Sequence, residues 1–234
     1  MQTINTFQTA EDACFAVAKE LSKLAKTGGT VALSGGETPK KLFRIIAEQF
    51  SDTDWSRINF FWGDERMVAL ENSESNYGTF YRELISTKII NQQNAFPITY
   101  FANEQKSLED YLQKIEENVT YHKGIPQFDV IILGIGEDGH VASIFPNNLE
   151  SFTTPAFAEI ATHPHGQQQR ISLTGTTINQ AKTVFFLTTG ENKSTIINEI
   201  ITHKNRALPA TLVENPAHIT WFIDEKAASK LPKL

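Results

Sequence analysis

The chain has 234 residues, 40% of them hydrophobic and 21% charged, with one cysteine and a formal net charge of -6 at pH 7. That length buries a sizeable core and is ordinary for one α/β domain, so a single domain over residues 1–234 is expected. The acidic balance excludes a broad nucleic-acid face, the lone Cys14 excludes an intramolecular disulfide, and no apolar run reaches the roughly 18 residues of a membrane span. An anionic small molecule stays open, because a few cations converging on one pocket dominate the field within a Debye length of about 8 Å. Residues 1–9 show no basic segment followed by an apolar core, so a cytoplasmic setting is expected.

Residues 10–26 space Ala10, Ala13, Cys14, Val17, Leu21 and Leu24 as the apolar stripe of a helix, which puts Cys14 in the core. Residues 30–33 read as the first clear strand. Ser34-Gly35-Gly36-Glu37-Thr38-Pro39 follows it, with Thr38 suited to cap a helix and Pro39 to begin it, ahead of the helical pattern over 40–50. Free N–H groups beside glycines at a helix start suit an anion, and a plain strand-to-helix turn accounts for the segment equally well. The next strand, residues 58–62, runs into Gly63-Asp64-Glu65-Arg66. Glu65 is expected on a solvated rim, while Asp64 and Arg66 suit sugar hydroxyls and a carboxyl or phosphate group. Ser75 is placed to cap a helix over 76–85, and 104–122 repeats the pattern through Leu108, Tyr111, Leu112 and Ile115.

The run over 128–133 has the β-branched content of a strand buried on both faces, and it enters Gly134-Ile135-Gly136-Glu137-Asp138-Gly139-His140. Three readings compete here. The glycines fit a dinucleotide-binding loop, but Glu137 and Asp138 would then face a pyrophosphate and Pro146 ends any helix within about two turns. A catalytic turn makes better use of His140, which exchanges a proton near neutral pH, with Asp138 close enough to orient it. A strand-exit turn with an incidental histidine is the blander alternative. Residues 146–169 form the least regular segment, a surface excursion beside this loop.

Strands are then expected over 170–173, 183–187 and 219–223, and a helix over 192–203. Arg170 heads the first of these. Lys193 falls in the first helical turn, where the helix dipole disfavours a cation and a bound anion would explain it. His163-Pro164-His165 lacks a Cys or acidic partner at ligand spacing, so no metal is expected, and His122, His203 and His218 read as helix-end or surface residues. Alternating strands and helices mean a mainly parallel sheet covered on both faces, a Rossmann-like three-layer sandwich.

Taken together, these segments closely resemble the 6-phosphogluconolactonase family. The residues that carry the resemblance are Leu33 to Pro39, Gly63 to Arg66 with Ser75-Asn76-Tyr77, and Leu133 to His140 with Ala142 to Pro146. It continues through Arg170 to Thr174, Gly190 to Lys193, Leu208-Pro209-Ala210 and Trp221 to Asp224. The resemblance implies the fold shared with glucosamine-6-phosphate deaminases and ribose-5-phosphate isomerases, and metal-free, cofactor-free hydrolysis of 6-phospho-D-glucono-1,5-lactone in the oxidative pentose phosphate pathway. For such a hydrolysis His140 would act as general base on water, Asp138 would orient it, and Arg66 would polarise the carbonyl or hold nearby sugar oxygens. Ser34, Gly35, Gly36, Thr38, Asp64, Arg170 and Lys193 would bind the substrate. No nucleic acid, membrane or obligate protein partner is implied.

Where the family's first loop usually reads Ser-Gly-Gly-Ser-Thr-Pro, this chain has Glu37, whose carboxylate is expected to point away from a phosphate. Two rivals are set against the lactonase. A deaminase or isomerase on the same fold would open an amino-sugar ring with Asp64 as base, and a sugar-phosphate sensor would bind without chemistry. The deaminase pattern places a glutamate before the proline where this chain has Phe145, and a tyrosine where it has Arg66. The sensor leaves Asp138 and His140 without a purpose.

Overall fold

The computed structural model describes residues 2–164, 166, 168–214 and 216–232. In chain order the strands are β1 (Gln2–Phe7), β2 (Gly29–Leu33), β3 (Ile58–Trp62), β4 (Asp64–Arg66), β5 (Tyr121–His122), β6 (Ile125–Pro126), β7 (Val130–Leu133), β8 (Ala158–Thr162), β9 (Gln169–Leu173), β10 (Thr183–Thr188) and β11 (His218–Asp224). The α-helices are α1 (Ala10–Thr27), α2 (Glu37–Gln49), α3 (Asn76–Phe80), α4 (Glu104–Asn118), α5 (Gly175–Gln180) and α6 (Ser194–Ile201).

The continuous apolar runs become a six-stranded parallel sheet ordered β1-β11-β10-β7-β2-β3 and flanked by helices, as the alternation predicts. All of β7 is buried, as a strand covered on both faces must be. Cys14 lies in the core on α1, whose start is locked by a capping box between Thr9 and Asp12. No helix among the described residues is long and apolar enough to cross a membrane.

The strand order positions the site. From β2 the chain steps outward to β3 and later returns to the other side of β2 as β7, so the order reverses between β2 and β7. At such a switch point the connections leave in opposite directions and a crevice opens beyond the strand ends. The β2–β7 pairing stops at Ala32↔Ile131, one or two residues before either strand ends. Ser34 Oγ closes the base of the gap by donating to Ile132 O at 2.6 Å.

A second sheet departs from the expected parallel plan. Strand β9 pairs antiparallel with both β4 and β8, bringing Arg66 opposite Arg170 and Asp64 opposite Ser172. The reason is connection length: no helix separates β8 from β9, and a short link can only return the chain antiparallel. Strand β8 thus lies inside the segment expected to be irregular, where its Ala158-Glu159-Ile160-Ala161-Thr162 alternates too weakly to read as a strand. The helix expected over 104–122 ends at Asn118, because Lys123 (φ 54°) and Gly124 (φ 79°) turn Tyr121–His122 into a short hairpin with β6. The helix expected over 76–85 is α only to Phe80 and continues as a π turn to Ile85.

Candidate active site

The loop leaving β7 forms tight turns with no helix over 134–146, which removes the dinucleotide-binding geometry. Gly136 N donates to His140 O at 3.0 Å and Gly139 N to Gly136 O at 3.0 Å, folding the loop on itself. Inside this fold the His140 Nδ1 and Asp138 Oδ1 lie 2.6 Å apart, and His140 N donates to the same oxygen at 3.1 Å. Glycine is required at 136 for a packing reason: a Cβ there would sit 2.1 Å from His140 Nδ1 and 2.6 Å from Asp138 Oδ1.

Burial alone would raise the Asp138 carboxyl, but the His140 charge and the bonds from His140 more than offset it and hold the group below the usual carboxylate range. Asp138 is therefore an anion at neutral pH. Its Oδ1 accepts the hydrogen bond donated by His140 Nδ1–H, a tautomer whose lone pair lies on Nε2.

A cavity of about 220 Å³ opens in the crevice, walled by Ser34, Gly35, Asp64, Arg66, Asn76, His140, Arg170 and Lys193 among others. Seven of the ten residues proposed from sequence thus meet in one place, and Asp138 stands behind His140. Asp64 is buried, not a rim residue. Its Oδ2 accepts from Ser143 Oγ at 2.7 Å and lies 3.6 Å from Arg170 Nη1. Arg170 is buried as well: burial favours its neutral form and the Asp64 charge opposes this. Arg66 Nη1 donates to Glu74 O at 2.7 Å.

Both Arg66 Nε and Arg170 Nε are buried without a hydrogen-bond partner among the described residues. Arg66 and Arg170 both line the cavity, and two guanidinium groups on one cavity suit an oxyanion or a carbonyl. Lys193 ends a 3-10 turn, Glu191–Lys193, immediately before α6. Asn192 Nδ2 donates to Glu137 Oε1 at 2.7 Å and so ties that turn to the His140 loop.

Two proposed contacts lie elsewhere. Helix α2 starts at Glu37 with Gly36 (φ 103°) as its N-cap, not at Thr38 or Pro39. Thr38 is therefore drawn inside the helix, where its hydroxyl meets Thr189 Oγ1 at 3.1 Å, away from the cavity. Gly36 and the exposed Glu37 line a neighbouring cleft with Lys40 and Arg82. Glu37 thus stays out of the cavity.

Glu65 overturns the expectation of a solvated rim: it is only 3% exposed and accepts bonds from three backbone N–H groups. Burial pushes its carboxyl up to about 7, against those N–H bonds. His163 packs against Phe145 with ring centroids 5.2 Å apart, and His165 falls outside the described residues.

From sequence Asn76 reads as the residue after a helix cap and as part of the family-like Ser75-Asn76-Tyr77, with no role assigned to it at the site. Ser75 does cap α3, accepting from Gly78 N at 2.8 Å, and this places Asn76 at the cavity wall with Nδ2 donating to Asp64 O at 2.9 Å. The amide packs into the space left by Gly35, where a Cβ would lie 1.7 Å from Asn76 Oδ1. Gly35→Ala is therefore expected to displace Asn76 and destabilise the fold by about 1–3 kcal/mol. Thermal unfolding of the purified variant measures this, and an unchanged Tm would contradict the packing.

A family profile for glucosamine-6-phosphate isomerases/6-phosphogluconolactonase matches residues 5–221. The chain belongs to this family. It is 37% identical over 233 residues to the 6-phosphogluconolactonase of Haemophilus influenzae, covering 97% of this chain and 98% of that one. With the 6-phosphogluconolactonase of Treponema pallidum it shares 36% over 205 residues, 87% of this chain and 82% of the relative. A crystal structure named devB protein superposes with a TM-score of 0.94 at 32% identity, covering 99% of this chain and 100% of that one.

The family name spans two chemistries, so the local residues must choose between them. Phe145, where the deaminase pattern has glutamate, is 3% exposed with its ring centroid 4.9 Å from that of His140. Arg170 Cζ lies over the same phenylalanine, 5.9 Å from its ring centroid. A glutamate beside His140 could relay a proton; a phenyl ring can only confine the imidazole.

Proposed function

We propose that this member of the 6-phosphogluconolactonase family hydrolyses 6-phospho-D-glucono-1,5-lactone to 6-phospho-D-gluconate, with His140 as general base. The observation that carries this reading is the Asp138-oriented imidazole at a cavity that also holds Arg66, Arg170 and Lys193. Water is deprotonated by His140 Nε2 as its oxygen attacks the lactone carbonyl carbon. The carbonyl π electrons move to oxygen, and the Arg66 guanidinium stabilises that developing charge. When the intermediate collapses, the bond to the ring oxygen breaks and the imidazolium returns its proton to that oxygen. The product acid then ionises.

Ser34, Gly35, Arg170 and Lys193 hold the substrate through its phosphate and hydroxyls, turning remote binding energy into orientation. Gly36 and Thr38 shape the loop from outside the cavity, and Asp64 fixes Arg170. The proposed reaction is a step of the oxidative pentose phosphate pathway, carried out in the cytoplasm.

A coupled assay that follows 6-phosphogluconate from freshly made lactone, corrected for spontaneous opening, tests the proposal. Catalysed opening is expected, together with no ammonia release from glucosamine 6-phosphate, since Phe145 replaces the proton-relaying carboxylate. Ammonia production at a rate comparable to lactone opening would reverse the assignment. A protein that binds the sugar phosphate without turning over the lactone would be a sensor.

A further inference from the structure

Asp64 and Arg66 line the cavity, and Glu65 between them points to the opposite face of β4, as the two-residue period of a strand requires. Its carboxylate is fully engaged there. Oε1 accepts from Arg66 N at 2.8 Å and from Asn76 N at 2.8 Å, while Oε2 accepts from Tyr77 N at 2.8 Å and from Ser75 Oγ at 3.1 Å. Ser75 Oγ in turn accepts from Gly78 N, so its own proton is free for Glu65. One side chain thus gathers the end of β4 and the start of α3, the two elements that supply Arg66 and Asn76 to the cavity.

We propose that Glu65 is a positioning residue for the lactonase reaction: without touching the cavity, its carboxylate clamps β4 to α3 and thereby sets Arg66 and Asn76 against the substrate. The proposal deepens the functional reading above and rests on it. Arg66 is well suited to such control, because its side-chain hydrogen bond goes to Glu74 O, in the loop that Glu65 closes between β4 and α3. A displacement near 1 Å at a reacting group costs on the order of 100-fold in rate. The two-oxygen arrangement also demands a carboxylate: a glutamine would turn an NH₂ group toward donors that need an acceptor.

The test is a double-mutant cycle on kcat/KM for the phosphorylated lactone, with Glu65→Gln made in the wild-type chain and in an Arg66→Ala/Asn76→Ala chain. A loss of about 30-fold or more is expected in the first and less than about threefold in the second, where nothing remains to be positioned. Equal losses in both backgrounds would overturn the proposal, since a purely structural role is indifferent to Arg66 and Asn76. If Glu65→Gln lacks the wild-type circular dichroism, Ser75→Ala removes one donor from the carboxylate and is read in the same two backgrounds. A loss of about three- to tenfold is then expected only where Arg66 and Asn76 remain. Unfolding of both variants would make Glu65 a stability residue and end the proposal. The cycle is read in parallel on 6-phosphogluconate binding by titration calorimetry, so a wild type that fails to hydrolyse the lactone counts against the lactonase reading alone.

Discussion

His140→Ala is expected to lower kcat by about 100-fold or more, the usual scale of general acid–base catalysis, while 6-phosphogluconate still binds. The expectation follows from the pairing of His140 with Asp138, which spends Nδ1 on orientation and leaves Nε2 for the substrate water. Alanine removes the base from a loop whose own backbone bonds, Gly136 N to His140 O and Gly139 N to Gly136 O, do not involve the side chain. The fold and the cations across the cavity remain. Steady-state kinetics with a product-binding titration separate the two effects, and a variant retaining more than half of the wild-type kcat would defeat the assignment. Asp138→Asn is the informative companion, since it keeps the shape but loses the anion that fixes the tautomer.

Lys193→Ala should weaken the phosphorylated lactone by roughly 1.5 to 3 kcal/mol, the range for a hydrogen bond to a charged group, and barely change the handling of unphosphorylated gluconolactone. The lysine stands at the head of α6 and lines the cavity, and its turn is tied to the His140 loop through Asn192 and Glu137. No ion pair to Lys193 occurs among the described residues, so its charge is available to a ligand. Comparing KM and kcat/KM for the two lactones decides the matter. Equal losses on both would show that Lys193 does not bind phosphate.

The parallel sheet was legible because buried strands such as Val130–Leu133 are continuous apolar runs separated by amphipathic helices, a pattern few other folds produce. The small antiparallel sheet was not, because β4 spans only Asp64–Arg66 and its polar residues are buried by pairing with β9, which no local pattern encodes. Glu65 illustrates the difficulty: a carboxylate flanked by two charged residues looks solvated until the N–H groups of Asn76 and Tyr77, more than ten positions away, come to meet it. Asn76 was hidden for the same reason, its place being set by the missing Cβ of Gly35. Site residues in the turns that follow β2, β7 and β10, such as Ser34, His140 and Lys193, were readable because those turns announce themselves in glycine.

The cavity is built from two sheets, with His140 carried by the parallel one and Asp64, Arg66 and Arg170 by the antiparallel one. The two are stitched at Gly63, whose N–H donates to Leu33 O at 2.7 Å and whose carbonyl accepts from Leu173 N at 2.8 Å. Leu173 is far from both Gly63 and Leu33 in the chain, so this seam forms only after long loops have closed. Such contacts are slow to assemble and contribute late on a folding pathway. Catalytic competence consequently depends on this seam: a chain with its helices and central strands in place but the seam unformed has His140 and Lys193 and still lacks Arg66 and Arg170.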